Sequence, residues 1–427
     1  MAGNETSKNP TSTSPFANPW VQLLVGVICM AAVANLQYGW NLFVNPIEAK
    51  YHWGRAAIQV AFTLFVTLET WLIPVEGYMV DRFGPRGVVM IGGILVALAW
   101  VLNSVASSLP LLYFAAALGG IGTGCVYGTC VGNALKWFPA RRGLAAGITA
   151  SGFGAGAAIT VGPIRTMIEA SGYEHAFLAF GLIQGGIVFV MSWLLLAPPP
   201  PIATAVVKAN QTAHGYTPME VLQSPVFYVM YLMMVLVAFG GLTTLASMAP
   251  IAEQFKVSKV PVELFGMVLP ALGFALFLNR IFDGIGRPLF GWLSDQIGRE
   301  YTMALSFLIG AAALFTLSQS GTNPVLYVLV TPLYISMYGS IYSLFPATQG
   351  DTFGSKYAAA NNGMLYTAKG AGTLLVPFAS ILMKSSGWDA VFILAMTFNV
   401  LAALLALFVL RPMRARHFAK SRAAFDT

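Results

Sequence analysis

Gly77-Tyr78-Met79-Val80-Asp81-Arg82-Phe83-Gly84 and Gly291-Trp292-Leu293-Ser294-Asp295-Gln296-Ile297-Gly298-Arg299 are two copies of one short loop, 214 residues apart. Each copy sits between long apolar runs. Tyr127 and Tyr342 fall at nearly the same offset, so the repeat extends beyond the loop. Within each copy the glycine permits close helix approach. The acidic and basic side chains (Asp81 and Arg82, Asp295 and Arg299) can pair across helix ends as a latch. A loop duplicated in matching context implies a duplicated body.

The apolar runs around the loops say what kind of body it is. The chain has 427 residues, of which 57% are hydrophobic and 9% charged. Soluble domains carry roughly 25% charged residues, which excludes that class. About 20 apolar residues cross the ~30 Å hydrocarbon core as a helix. Such windows occur at about 20–45, 56–80, 87–107, 110–136, 143–168, 175–197, 226–251, 261–293, 301–320, 324–349, 358–384 and 388–411. The fold expected is an all-α membrane protein with twelve transmembrane helices, spans 1 to 12, in two six-helix bundles.

The expected domains are a polar tail at 1–19, bundles at 20–197 and 226–411, a linker at 198–225 and a basic tail at 412–427. The linker opens on Pro198-Pro199-Pro200-Pro201 and ends at Ser224-Pro225. The first nineteen residues lack the pattern of a cleavable leader, so span 1 is expected in the mature chain. With the N-terminus inside, fourteen Lys and Arg fall in cytoplasmic segments and six in external ones. Basic residues favour the cytoplasmic side, so both termini are expected inside, in a multi-pass inner-membrane protein.

Other classes fall away. Cys29, Cys125 and Cys130 lie inside apolar runs, and the four histidines form no ligand pattern. No metal, cofactor or catalytic residue is expected. The net charge of +7 is dispersed between apolar runs, which argues against nucleic acid. Glycine stripes at Gly120, Gly124, Gly128 and Gly132, and from Gly143 to Gly156, are expected to be packing surfaces. The chain is expected to be monomeric in the lipid bilayer.

Six charged residues stand inside the apolar runs: Glu69, Glu76, Arg280, Asp283, Arg287 and Lys369. Such residues cost ~2.5–3.5 kcal/mol at the bilayer centre and normally face a cavity or a partner. With a rise of about 1.5 Å per residue, Arg287 lies roughly 12 Å and Asp283 roughly 18 Å inside the cytoplasmic end of span 8. Lys369 lies roughly 17 Å deep on span 11. Asp283 can pair with Arg280 or Arg287 along one helix face, the Arg280 pair being the structural one. No acidic residue on span 11 neutralises Lys369, so two uncompensated cations, Arg287 and Lys369, call for an anion. Glu76 is expected near the interface, and spacing supplies no partner for Glu69. Tyr334, Tyr338 and Tyr342 form a ladder on span 10. Together with Gln37, Tyr38, Gln59, Tyr127 and Tyr366 they are expected to line a cavity for a small, flat anion.

The loop pair resembles the G-x-x-x-D-R-x-G signature of the major facilitator superfamily. Longer stretches resemble its oxalate/formate antiporter family: Asn35-Leu36-Gln37-Tyr38-Gly39-Trp40, Ala56 to Thr63, Val126-Tyr127-Gly128, Lys136 to Pro139, Gly286-Arg287-Pro288, Tyr342 to Pro346, and Ala368-Lys369. The resemblance implies small-carboxylate transport by alternating access, with oxalate exchanged for formate. It also implies that Arg287 and Lys369 bind the two carboxylates, and that Gln37, Tyr38, Gln59, Tyr127 and Tyr342 surround the cavity. Asp283-x-x-x-Arg287 is similar to a span 8 motif of the monocarboxylate transporters, whose Asp is linked to proton coupling. A proton-coupled monocarboxylate symporter is therefore the alternative, and a non-transporting sensor the second.

Overall fold

A computed structural model describes residues 16–198, 211–212, 214–264 and 266–423. The first fifteen residues of the expected N-terminal tail, and most of the proline run, lie outside the described residues. Helix starts follow local chemistry. Asn18 caps the Trp20 amide, and Asn323 caps those of Val325 and Leu326. Pro85, Pro110, Pro225 and Pro324 occupy first turns, where a missing N–H costs nothing.

Among the described residues, nine helical stretches are long and apolar enough to cross a membrane. A tenth crossing is the bent pair Arg55–Trp71 and Ile73–Phe83, which meet at 43°. The stretch Ala271–Ile297 is also long enough to cross, and it carries Arg280, Asp283, Arg287 and Asp295. The run from Ala358 to Ser421 contains two crossings, broken at Gly387, whose φ of 78° no helix accommodates. Twelve spans result among the described residues. Their structural bounds begin Pro19–Tyr51 for span 1, Leu109–Trp137 for span 4 and Arg142–Ser171 for span 5. Span 10 is divided into Pro324–Gly339 and Ile341–Phe353.

The structure departs from the sequence reading in three places. Residues 261–270 are not the start of span 8. Pro261–Leu264 and Met267–Pro270 pair as antiparallel strands, with Val262 opposite Leu269. Apolarity alone does not separate strand from helix over so short a run. Span 2 bends after Trp71, where Pro74 cannot continue the hydrogen-bond ladder. The described part of the basic tail is a helix, Arg411–Ala423, packed on the terminal face, the one that carries the motif loops, through Arg414 to Thr352 (2.8 Å) and to Glu300.

That terminal face is where the halves are joined. Asp81 accepts from the amides of Ala359 (3.4 Å) and Ala360 (2.9 Å), capping span 11 of the other half. Asp295 accepts from Gly143 (3.0 Å) and Leu144 (2.9 Å), capping span 5 in the same way. The second copy keeps its own basic partner, with Arg299 2.7 Å from Asp295. In the first copy the partner is Lys136 at 2.5 Å, not Arg82, which is exposed over Phe83. The expected Asp81–Arg82 latch is corrected accordingly: adjacent residues on one helix do not face each other. Asp351 adds a further tie, bonded to Arg142 of the first half and Arg299 of the second, each at 2.8 Å. A side chain at Gly291 would run into the backbone of Gly143, and one at Gly77 into Ala359. The motif glycines therefore permit this contact.

Replacing Asp295 with Asn removes a charged acceptor from two backbone amides, a contact of about 1.5–3 kcal/mol. Spin labels at Ala140 and Gln296, one on each half, should then show a longer-distance population absent from the parent protein. An unchanged distance distribution would mean that this cap does not hold the face closed.

Candidate functional site

Above the latches, the seam between the halves holds a box of charged and aromatic side chains. Span 8 supplies Asp283 and Arg287, and Arg287 is 2% exposed. Its Nε donates to Asp283 Oδ1 at 3.0 Å, and its Nη2 to Oδ2 at 2.6 Å. Its Nη1 donates to the Ala150 carbonyl of span 5 at 2.8 Å. Glycines admit this arrangement: a Cβ at Gly339 of span 10 would strike the Asp283 carboxylate, and Gly154 of span 5 flanks it on the other side. The expected Arg280–Asp283 pair is therefore corrected. Asp283 is taken by Arg287, and the Arg280 guanidinium lies over the Tyr38 ring, 4.4 Å from its centre.

Lys369 is 3% exposed on span 11, and its ammonium is not uncompensated. Its Nζ lies 3.2 and 3.3 Å from the two carboxylate oxygens of Glu69, a fully buried residue of span 2 in the other half. A third bond joins it to the Tyr366 hydroxyl at 3.2 Å. The partner was hidden from sequence spacing because the two residues are 300 positions apart. Glu76 is also buried, against Gly124 and Cys125.

Tyrosines fill the space between the two ion pairs. Tyr342 lies under Arg287 at 4.9 Å, and its ring centre is 5.9 Å from that of Tyr366. Tyr366 in turn meets Tyr127 at 4.6 Å. Tyr338 and Tyr342 share a 2.5 Å hydroxyl contact across the break in span 10. Phe153 of span 5 closes the box between Tyr38 (5.4 Å) and Tyr127 (5.5 Å). Tyr334 leaves the expected ladder, since its hydroxyl points toward Gly240 of span 7. Gln37 is half-buried with its side-chain oxygen unpartnered, and Gln59 makes no side-chain bond among the described residues. Phe153, Asp351 and the Ala150 carbonyl belong to the arrangement but carry no sequence signal of their own. No group of residues suited to a metal ion occurs among the described residues.

A separate cavity of about 450 Å³ opens on the terminal face, lined by Asp295, Arg299, Asp351, Arg411 and Arg414. The first three of these charges answer one another, as described for the latch.

Two six-span halves meeting around buried ion pairs, and latched at one face, define a membrane transporter. The Major Facilitator Superfamily profile matches residues 23–287 and 262–425. The chain belongs to this superfamily and, within it, to the oxalate/formate antiporter family. It is 32% identical over 404 residues to the oxalate:formate antiporter of Oxalobacter formigenes, covering 94% of both chains. It is 24% identical over 349 residues to human monocarboxylate transporter 6, covering 75% of this chain and 66% of that one. Its fold is similar to that of the transporter FucP in the outward conformation, with a TM-score of 0.67 and 16% identity over 93% of this chain and 98% of that one. The protein is a multi-pass membrane transporter and not an enzyme.

Lys369→Ala strands the Glu69 carboxylate in a buried site, where breaking an ion pair costs about 3–5 kcal/mol. Thermal unfolding in detergent should show a marked loss for Lys369→Ala and recovery of most of it in the Lys369→Met, Glu69→Gln double variant. Additive losses in the double variant would show that the two side chains do not act as a pair.

Proposed function

We propose that the protein exchanges small carboxylates across the inner membrane, oxalate for formate, by alternating access of the seam between its two bundles. The observation that carries this reading is the pair of buried basic side chains, Arg287 and Lys369, facing one tyrosine-walled box from spans 8 and 11. A guanidinium offers a planar fork to a carboxylate, and an ammonium acts as a point charge. Aromatic walls select a small, flat anion. The similarity to the oxalate:formate antiporter over nearly the whole chain supports both the substrate class and the exchange mode.

Charge alone does not argue for obligatory exchange. Two bare cations would resist closure of an empty site, but Arg287 and Lys369 each already hold a carboxylate. Exchange rests instead on the family. The excess of basic residues on the terminal side supports a cytoplasmic position for both chain ends, and the two bundles at 20–197 and 226–411 are the bodies that rock. The box lies within a single chain, which supports a monomeric carrier in the bilayer.

The test is uptake of labelled oxalate into proteoliposomes preloaded with formate or with buffer. Uptake driven only by internal formate is expected. Uptake into buffer-loaded vesicles driven by an inward proton gradient would establish the monocarboxylate symport alternative instead. Arg287→Gln should weaken oxalate binding about ten- to a hundred-fold, by loss of a charge-assisted contact of about 1.5–3 kcal/mol. Unchanged affinity in a well-folded variant would remove Arg287 from the site.

A further inference from the structure

Hydrogen-bond capacity separates the two cations of the box. An ammonium has three N–H donors. Those of Lys369 are matched by both oxygens of Glu69 and by the Tyr366 hydroxyl, so the group is saturated. A guanidinium has five. Arg287 uses three of them on Asp283 and Ala150, leaving two for the adjacent Tyr38 hydroxyl and for an incoming oxygen. A substrate carboxylate can therefore reach Arg287 with the resident bonds intact. It can reach Lys369 only by taking the place of Glu69.

The charge count agrees. Arg280, Arg287 and Lys369 stand against Asp283 and Glu69, which leaves one positive charge. Arg280 has no carboxylate within ion-pairing distance among the described residues, and it sits over Tyr38 at the same wall of the box. Glu76 lies against Gly124 and Cys125, seven residues beyond Glu69 on the same span, and forms no ion pair with any of these cations among the described residues. One carboxylate group completes this balance; two exceed it.

Building on the carboxylate-carrier reading, we infer that Glu69 is a built-in carboxylate occupying the Lys369 half of the box, so that it sets the preference between monocarboxylates and dicarboxylates. A monocarboxylate binds at Arg287 beside the intact Glu69–Lys369 pair. A dicarboxylate such as oxalate engages both cations and must displace Glu69, whose buried carboxylate then lacks a partner. Glu69 thus acts as a specificity determinant through Lys369, without itself touching a monocarboxylate. The pair also bridges spans 2 and 11 of opposite halves, so a dicarboxylate loosens this tie and a monocarboxylate leaves it in place.

The experiment is counterflow of labelled formate in proteoliposomes, competed by oxalate and, separately, by lactate, in the parent protein, Glu69→Gln and Glu69→Asp. Glutamine keeps the shape and removes the charge, so Lys369 becomes available to a second carboxylate. The ratio of lactate to oxalate half-inhibitory concentrations should rise at least tenfold in Glu69→Gln and stay near the parent value in Glu69→Asp. The same ratio is read from thermal stabilisation of the detergent-solubilised protein by each ligand, which serves where a variant binds but does not transport. A ratio unchanged, or moved toward lactate, in folded Glu69→Gln overturns the inference. Lys369→Met with Glu69→Gln, and Arg287→Gln, are run alongside. If neither changes competition by either anion, the carboxylate site itself is misplaced, a failure distinct from that of Glu69's role.

Discussion

A charge carried into a bilayer needs an opposite charge, a polar cavity or water, and this protein supplies opposite charges from neighbouring spans. Arg287 holds Asp283 along one helix, while Lys369 holds Glu69 across the seam between the halves. The second pair constrains the architecture more than the first, because a partner must be delivered from 300 residues away. The bend in span 2 immediately follows Glu69, and a Cβ on Gly370 would meet Thr70 and Trp71, so spans 2 and 11 run in close contact beside the pair. Tyr338 and Tyr342 stand on either side of the break in span 10, and both rings face the same box. Breaking such a pair costs several kcal/mol, so these backbone irregularities are retained where a regular helix would be locally more stable.

The internal duplication appears in the structure as two equivalent latches. Each motif aspartate caps the first turn of a helix in the opposite half, where unpaired amides and the helix dipole favour an anion. Each motif glycine removes the Cβ that would hold those helices apart. The two copies differ in their basic partner, Lys136 in one and Arg299 in the other. Only the second is drawn into the Asp351 network that ties Arg142 to the same face. These contacts are all at helix ends, so they can be released together as one half tilts on the other.

Much of this was legible in the sequence, and what was not has a common cause. The spans and the loop duplication follow from hydropathy and local motif, which are properties of adjacent residues. The Asp283–Arg287 contact is one of two pairings that helical spacing allows, and Gly339 leaves room for the paired carboxylate. The partner of Lys369 lay beyond any spacing rule, since it depends on how two bundles meet. Hydropathy extends span 8 back to 261, where paired strands stand instead, because short apolar strands and helices share a composition. The carbonyl of Ala150 and the ring of Phe153 gave no signal, because ordinary core residues become part of a site only through position.

The central claim is that a carboxylate occupies the tyrosine-walled box beside Arg287. It is tested most directly by an experimental structure of the protein with bromoacetate, a small monocarboxylate whose bromine is located by anomalous scattering. A single bromine peak is predicted among Tyr38, Tyr127 and Tyr342, with the carboxylate on Arg287 and the Glu69–Lys369 pair intact. A peak confined to the arginine-lined cavity of the terminal face, with the box empty at saturating ligand, would contradict the account.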